Sequence, residues 1–275
     1  MINNFYLGHF IRKNWGQIFI KDANIINNII SAINPQNHDH LVEIGPGLGA
    51  LTQPISKYVE HITAIEIDKN LVNYLKNNAV LSKKLTIYQR NALNFDFNEL
   101  SRQQGHKLRI FGNLPYNLSS KLIFHLFKYT NIIKDMHLML QKEVVDRIIA
   151  VPDSKKYGRL SVMSQYYCKG LLIQDITPES FIPVPKVSSA LVRLVPYTLM
   201  PNIVENISEL QLITRTAFSH RRKILKNSLS KLVTVKILKE IGINPNLRAE
   251  NISVALYCKL ANWLAVHSPM KLKEK

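Results

Sequence analysis

Residues 41–49 read Leu41-Val42-Glu43-Ile44-Gly45-Pro46-Gly47-Leu48-Gly49. The apolar run at the start predicts a strand, and an apolar helix through Leu51, Ile55 and Tyr58 is predicted after the glycines. A strand, a glycine loop and a helix form a nucleotide-binding arrangement, because glycines let the backbone approach a ligand. The spacing is G-x-G-x-G, so the dinucleotide fingerprint G-x-G-x-x-G is not met. A purely structural turn is the alternative.

Further strands and helices alternate on both sides of this segment. Asp22 is a candidate N-cap for a helix over Ile25–Ile33. Other strands are predicted at 62–65, 85–88, 108–112, 136–140 and 191–195, and other helices at 119–128 and 143–167. Such alternation predicts an α/β fold with a mostly parallel, doubly wound sheet of the Rossmann-like kind.

The last quarter of the chain differs in character. Pro196 to Pro201 marks a predicted boundary, and the remainder is predicted to be entirely helical. We therefore expect a catalytic domain with an N-terminal arm over residues 1–198 and a small, all-helical, basic domain over residues 199–275.

The charge balance indicates a polyanionic partner. The chain has 36 Lys and Arg against 19 Asp and Glu, a formal net charge of +17. From Arg215 to Lys239 there are eight basic residues and no acidic one, and this stretch is predicted to be helical. Contact with a phosphate backbone is the favoured interpretation, with Arg221, Arg222, Lys223 and Lys226 as candidate residues. An anionic membrane surface or a solvated face is the alternative.

Several classes of protein are disfavoured. The two cysteines, Cys168 and Cys258, lack metal-ligand spacing and are interpreted as free thiols in a reducing compartment. No apolar run reaches the length of about 18 residues that a membrane span needs. The first eight residues lack the order of a signal peptide. We expect a cytoplasmic monomer without a metal or a membrane partner.

The second informative segment is Asn113-Leu114-Pro115-Tyr116-Asn117, at the end of the strand over 108–112. Ligands of open α/β sheets bind at such strand ends. The Asn113 amide and the Leu114 carbonyl can accept hydrogen bonds from an exocyclic amine. Pro115 fixes the turn, and Tyr116 offers a face on which a base can stack. The alternative is an ordinary turn with a half-buried tyrosine.

Two more features complete the candidate site. Glu66 ends a strand about 20 residues beyond the glycine loop, where a carboxylate can bind both hydroxyls of a ribose. Its alternative is a helix cap, a role that Asp68 fits better. Phe181 lies in a loop stiffened by three prolines and is either a stacking face or a core residue. Residues 9–22 are predicted to be an arm or loop. A ribose site without a pyrophosphate site indicates S-adenosylmethionine.

Together these parts resemble the class I methyltransferases and, more closely, the rRNA adenine N6,N6-dimethyltransferase family that modifies small-subunit rRNA. The resemblance covers almost the whole chain. It is carried by residues 15–17, 42–52, 64–68, 113–117, 139–143, 157–161, 181–189, 221–223 and 248–251.

The resemblance implies roles for individual residues. The cofactor would be held by Ile18, Ile20, Gly45, Gly47, Gly49, Glu66, Asn91 and Asn113. Asn113 and Leu114 would accept from the target N6 amine, with Pro115 shaping the turn and Tyr116 and Phe181 enclosing the base. The implied substrate is a pair of adjacent adenosines in the 3′-terminal hairpin loop of 16S rRNA, with a role in 30S subunit biogenesis.

Three positions depart from the family pattern. Ile18 stands where Asn or His is usual, Trp15 replaces a smaller apolar residue, and Asn91 replaces Asp. The first loses a side-chain contact to the cofactor, and the third makes a weaker, uncharged acceptor. Three alternatives stay open: a 23S rRNA adenine N6-methyltransferase, a non-catalytic RNA-binding factor for ribosome assembly and a DNA N6-adenine methyltransferase.

Overall fold

The computed structural model describes residues 5–12 and 15–267. The chain divides into two compact units, of which the first comprises residues up to Val145 together with Gly170–Pro196. The second comprises Asp146–Lys169 and the chain from Tyr197 onward. The division at Pro196 lies close to the predicted boundary. The segment 146–169, however, is grouped with the C-terminal unit, whereas a single cut after residue 198 leaves it in the first domain.

The first unit contains the strands. These are Phe5–Tyr6 (β1), His9–Phe10 (β2), Phe19–Ile20 (β3), His40–Ile44 (β4), Ile62–Glu66 (β5), Leu85–Gln89 (β6), Leu108–Asn113 (β7), Ile133–Gln141 (β8), Cys168–Ile176 (β9), Phe181–Ile182 (β10) and Ser189–Pro196 (β11). Its helices are Ala23–Ile33 (α1), Thr52–Ile55 (α2), Lys69–Lys76 (α3), Phe97–Gln104 (α4) and Ser119–Leu126 (α5).

Seven strands form the central sheet in the order β6-β5-β4-β7-β8-β11-β9. The pairs from β6 to β8 are parallel, and β11 is antiparallel to β8. From β4 the chain proceeds to one side through β5 and β6 and then returns to the other side with β7. This reversal opens a crevice at the carboxyl ends of β4 and β7. The doubly wound sheet predicted from the sequence is confirmed.

A glycine in β7 brings the two strands at the crevice close together. Gly112 has φ +155°, and a Cβ at this position would overlap the carbonyl oxygen of Ile44. Only glycine tolerates both the backbone conformation and the contact. The close approach places the residue after it, Asn113, at the end of β4.

Near the amino end of β7, a buried arginine connects α1 to the strands. Arg109 donates to both carboxylate oxygens of Asp135 at 2.9 Å and to the carbonyl oxygen of Ile33 at 2.6 Å. It also forms an ion pair with Asp39 at 2.5 Å. Burial alone would raise the pKa of Asp135, but the hydrogen bonds and charge of Arg109 hold that pKa below its usual value. Asp22 caps α1 as predicted.

The second unit is helical among its described residues. Its helices are Arg159–Tyr167 (α7), Ile207–Ser219 (α8), Leu225–Ser228 (α9), Val235–Glu240 (α10) and Val254–His267 (α11), and Lys142–Ile149 (α6) leads into it. Tyr257 is buried in this unit and donates to the carbonyl oxygen of Ala249 at 2.7 Å. The helical C-terminal region predicted from the sequence is confirmed.

Three predicted helices are wrong in extent. The helix over 143–167 is interrupted between α6 and α7, where Pro152 lacks an N–H and Asp153 has φ +69°. The stretch from Arg215 to Lys239 is interrupted after Ser219, because Ile224 pairs with Arg248 in an antiparallel bridge that requires extended backbone. The helix after the glycine loop has only four residues and contains Pro54.

Candidate active site

A cavity of about 270 Å³ lies where the carboxyl ends of β4, β5 and β7 meet. The glycine loop forms its floor, and residues 15–20 of the N-terminal arm form one wall. Of the residues proposed from the sequence, Ile18, Ile20, Gly45, Gly47, Gly49, Glu66, Asn113 and Pro115 line it. The structure therefore brings together residues that are almost 100 positions apart.

Glu66 has a fixed carboxylate at the edge of the cavity. One oxygen accepts from the backbone N–H groups of Ile67 and Asp68 at 2.8 and 2.9 Å, and the other is 3.4 Å from the N–H of Gly47. Only 6% of the residue is exposed. Burial raises the pKa of this carboxyl, while the three backbone N–H groups act in the opposite direction. Asp68 is the N-cap of α3, as its position in the sequence indicates.

Asn113 presents an acceptor without a partner to the same cavity. Its Nδ2 donates to the carbonyl oxygen of Ile18 at 2.9 Å. Its Oδ1 is buried and has no hydrogen-bond partner among the described residues. An unsatisfied buried oxygen costs about 1–3 kcal/mol, so it indicates a missing donor. The neighbouring Leu114 is fully buried, and its N–H donates to the carbonyl oxygen of Met139 at 3.1 Å.

The two aromatic residues of the predicted base pocket are placed differently. Tyr116 is half-buried, and its hydroxyl lies 2.5 Å from Oγ of Ser189, which is fully buried. Burial raises the pKa of this phenol. Phe181 is fully buried and pairs with Ile20 across β10 and β3. Its side chain belongs to the apolar core, so stacking on a base stays a prediction that requires this face to be uncovered.

The glycine loop is shaped by the arm that covers it. Gly47 has φ +57°, and a Cβ there would lie 3.0 Å from the ring of Phe19. Asn91 does not line the cavity described above. Its Oδ1 accepts from the N–H of Leu93 at 3.0 Å and so begins a short 3-10 turn. Binding of a cofactor amine by Asn91 thus stays a prediction.

Sequence reasoning missed the residues that hold the arm. Gln17 Nε2 donates to Asp68 at 2.9 Å, and Gln17 Oε1 accepts from the N–H of Arg12 at 2.8 Å. The guanidinium of Arg12 is 3.4 Å from the same carboxylate. The lack of helical or strand periodicity in residues 9–22 predicted an arm but not the residues that anchor it.

A second buried carboxyl, Glu43, also lines the cavity and was missed. It is 2% exposed and accepts from Oγ1 of Thr52 at 2.6 Å. Burial, with a smaller contribution from the charge of Glu66, raises the pKa of Glu43 to about 8. The side chain is therefore largely neutral at pH 7.

The basic residues of the second unit fall into two groups. The guanidinium of Arg221 donates to the carbonyl oxygens of Lys155 and Tyr157 at 2.7 and 3.0 Å and to Glu250 at 3.1 Å. It therefore has a structural task in this unit. The side chains of the other candidates are exposed: Arg222, Lys223 and Lys226.

Residues 5–12 and 15–267 contain neither a candidate metal site nor a candidate membrane span. No group of three or more His, Cys, Asp or Glu in these ranges is placed to hold a metal ion. No helix in the same ranges is long and apolar enough to span a bilayer.

Comparison with known proteins assigns the geometry to a family. Residues 8–266 match the family described as "Ribosomal RNA adenine dimethylase". The chain is 53% identical to the "Ribosomal RNA small subunit methyltransferase A" of Citrobacter koseri over 271 residues, which cover 98% of this chain and 99% of that protein.

Solved structures share the fold. A dimethyladenosine transferase from Plasmodium falciparum superposes with a TM-score of 0.76 at 25% identity, covering 90% of this chain and 98% of that one. The 23S rRNA methyltransferase ErmE superposes with a TM-score of 0.68 at 19% identity, covering 90% and 99%. The second likeness concerns the fold alone.

Proposed function

The chain belongs to the ribosomal RNA adenine dimethylase family, and on this premise we propose which atoms it methylates. It is an rRNA methyltransferase. Its substrate is N6 of two adjacent adenosines in the 3′-terminal hairpin loop of 16S rRNA in the small ribosomal subunit. Each adenosine receives two methyl groups from S-adenosylmethionine, and the reaction contributes to biogenesis of the subunit.

One observation supports this choice above the others. Oδ1 of Asn113 is buried without a partner in the wall of a cavity that also contains the glycine loop and Glu66. An amide oxygen accepts hydrogen bonds and cannot donate them. A ligand with an exocyclic amine, such as the N6 group of adenine, supplies the missing donor.

The residues of the cavity fit S-adenosylmethionine. The Glu66 carboxylate is rigidly held at the end of β5, at the position from which a carboxylate binds ribose hydroxyls. The glycine loop leaves the backbone near Gly45 open, since a Cβ there would meet nothing closer than 3.8 Å. When bound, the cofactor supplies a methyl group already activated by its sulfonium.

The protein's own task is to make the amine a better nucleophile. The N6 lone pair of adenine is delocalised into the ring, so the amine attacks poorly. In the first transfer, hydrogen bonds from the two N6 hydrogens to Asn113 Oδ1 and to the Leu114 carbonyl favour a pyramidal nitrogen. They also stabilise the positive charge that develops on it during attack. In the second transfer the one remaining N6 hydrogen makes one of these bonds, and each transfer releases one N6 proton to water. Alignment of the nitrogen with the methyl group lowers the barrier further.

The face of Tyr116 holds the target base, which must leave its stack in the RNA to reach the cavity. The bond from Tyr116 to Ser189 fixes the orientation of the ring. Arg222, Lys223 and Lys226 contribute phosphate contacts to RNA affinity. Because the substrate is a ribosomal RNA, we place the reaction in the cytoplasm, and we propose that one chain acts alone.

The test uses small ribosomal subunits whose rRNA lacks the modification. The subunits are incubated with the protein and S-adenosylmethionine, and nuclease fragments of the rRNA are weighed by mass spectrometry. The expected result is a fragment from the 3′-terminal hairpin that gains four methyl groups on two adjacent adenosines. The Asn113→Ala variant serves as the control for a contaminating activity. Methylation confined to large-subunit rRNA or duplex DNA, or no methylation at all, would overturn the proposal.

A further inference from the structure

The N-terminal arm carries an exposed aromatic residue beside the cavity. Trp15 lines the cavity and is 37% exposed. We propose that Trp15, with Arg12, forms a subsite for the unpaired nucleotide that adjoins the target adenosine in the RNA. The inference rests on the proposed function, because it assumes that the cavity receives a base from a single-stranded RNA segment.

Trp15 is next in the chain to a residue that packs on the segment 113–117, which carries the proposed hydrogen-bond acceptors. The next residue, Gly16, packs directly on that segment, since a Cβ at Gly16 would lie 3.1 Å from Oδ1 of Asn117 and 3.7 Å from Pro115. Gly16 has φ +68°, which turns the chain at this contact. The indole is therefore attached to the same wall of the cavity as Asn113 and Pro115. A nucleotide flanking the target base must pass this wall.

Arg12 and Gln17, which flank Trp15 in the chain, are both held at Asp68. Asp68 is fully buried and accepts from Gln17 at 2.9 Å, while Arg12 lies 3.4 Å from the same oxygen. Gln17 also accepts from the N–H of Arg12 at 2.8 Å. Trp15 thus lies between two residues that are tied to one buried carboxylate. Holding these flanking residues before binding reduces the entropy that is lost when a base stacks on the indole.

Arg12 and Trp15 place a cation beside an aromatic face. The guanidinium carbon of Arg12 lies 4.5 Å from the centroid of the Trp15 ring, which is a cation–π arrangement. The Arg12 side chain is 38% exposed and so can also reach a phosphate. An indole beside a cation matches a nucleotide, which has a base with a π face and a negative charge. Such aromatic platforms bind successive bases of single strands without strong sequence preference.

The first test separates RNA binding from cofactor binding. Trp15→Leu should raise KM for the hairpin RNA by roughly 5- to 100-fold, the range for loss of one stacked base, with a much smaller change in kcat. Trp15→Phe keeps an aromatic face and should restore most of the loss. Calorimetry with S-adenosylmethionine should show, for both variants, a change in cofactor affinity much smaller than the change in RNA affinity. If Trp15→Leu weakens the cofactor and not the RNA, the indole contacts the cofactor and the proposal is wrong.

The second test identifies the nucleotide by a double-mutant cycle. RNA hairpins carry an abasic site immediately 5′ or immediately 3′ of the target adenosine. At one of the two positions, the missing base should raise KM of the wild-type protein by as much as Trp15→Leu raises it with intact RNA. The same missing base should not raise KM of the Trp15→Leu variant any further. Additive losses at both positions would overturn the subsite.

A spectroscopic measurement reports on the indole directly. The chain has two tryptophans, so the Trp263→Phe variant retains Trp15 as its only indole emitter. Adding hairpin RNA should quench this emission, and the abasic RNA identified by the cycle should quench it less. Equal quenching by the intact and the abasic RNA would contradict stacking. Failure of the wild-type protein to methylate any RNA would instead refute the proposed function itself.

Discussion

The side-chain amide of Asn113 donates to the carbonyl oxygen of Ile18 at 2.9 Å, and its own oxygen is left without a partner among the described residues. The bond joins the end of β7 to the N-terminal arm across 95 positions of sequence. It fixes which end of the amide meets the substrate. The identity of the side chain at position 18 matters little for this bond, since the backbone of Ile18 accepts it.

Removing this amide should lower turnover. Asn113→Ala should reduce kcat by roughly a hundredfold, the loss typical of one transition-state hydrogen bond. RNA affinity should hardly change, because phosphate contacts dominate it. Single-turnover methylation and filter binding measure the two quantities. An Asn113→Ala enzyme with wild-type kcat would remove Oδ1 from the reaction.

The Glu66 carboxylate should control the affinity for the cofactor. Glu66→Ala should weaken S-adenosylmethionine binding by about 1.5–3 kcal/mol, because two hydrogen bonds to a charged acceptor disappear. Calorimetry measures this loss, and RNA affinity is the internal control. Asp68→Ala provides the contrast, since Asp68 caps α3 and anchors the arm. Equal cofactor affinity in Glu66→Ala and wild type would show that the carboxylate holds only the local backbone.

The Tyr116 ring and its hydroxyl can be separated by substitution. Tyr116→Phe keeps the stacking face and loses the bond to Ser189. It should retain most activity, whereas Tyr116→Ala should lose about 1–3 kcal/mol of base stacking. Ser189→Ala is the matched control, because it removes the same hydrogen bond from the other side. If Tyr116→Phe is inactive while Ser189→Ala is active, the hydroxyl itself takes part in the reaction.

The sequence predicted those site residues that stand at strand ends. The glycine loop, Glu66 and Asn113 follow strands whose apolar runs are plain, and parallel strands bring their carboxyl ends to one edge. The bond between Gln17 and Asp68 spans 51 positions and has no local signal. Burial of Phe181 depends on pairing of β10 with β3, two strands of two residues each. Strands of two residues are too short to show an alternation of apolar and polar residues in the sequence.

The second unit shows the same limit. Its basic composition was evident, but the helices are shorter than the charge pattern indicated. Long-range backbone pairing, such as that between Ile224 and Arg248, ends helical structure where local propensity favours it. Arg221 illustrates the consequence for function. It belongs to a basic cluster in the sequence, yet its guanidinium is occupied by three oxygens of its own unit.

Buried Glu43 should make stability depend on pH. Its pKa is raised from 4.5 to about 8, so between these values the folded protein keeps a proton that the unfolded chain has lost. The free energy of unfolding should therefore fall as pH rises through this window, by up to about 1.4 kcal/mol per pH unit. Glu43→Gln should remove this slope. Denaturant unfolding between pH 5 and about 8 measures it.

The control for Glu43 is a carboxyl on the surface. Glu60 is exposed and accepts a hydrogen bond from Asn37 at 2.8 Å. Glu60→Gln should leave the pH dependence of wild type in place. The free energy of unfolding could instead change with pH in the same way for Glu43→Gln and wild type across this window. That result would show that Glu43 has the same pKa in the folded and the unfolded chain.

The basic residues of the second unit should separate into an RNA-binding set and a structural residue. Replacing Arg222, Lys223 and Lys226 by Ala should lower affinity for the small subunit and reduce the log–log salt slope by about two to three units, roughly one per lost phosphate contact. The melting temperature should change little, because these side chains are exposed. Binding measured at several salt concentrations tests this expectation.

Arg221→Ala should give the opposite pattern. The substitution leaves the carbonyl oxygens of Lys155 and Tyr157 and the carboxylate of Glu250 without their donor. The side chain is 47% exposed, so water replaces part of the loss, and the expected destabilisation is about 1 kcal/mol. Arg221→Lys keeps the charge but not the forked donor geometry, so it should leave the melting temperature lowered while the salt slope stays that of wild type. Arg221→Ala could instead lower the salt slope as much as Arg222→Ala does and leave stability unchanged. That result would mean that Arg221 gives up its bonds to these oxygens and binds RNA.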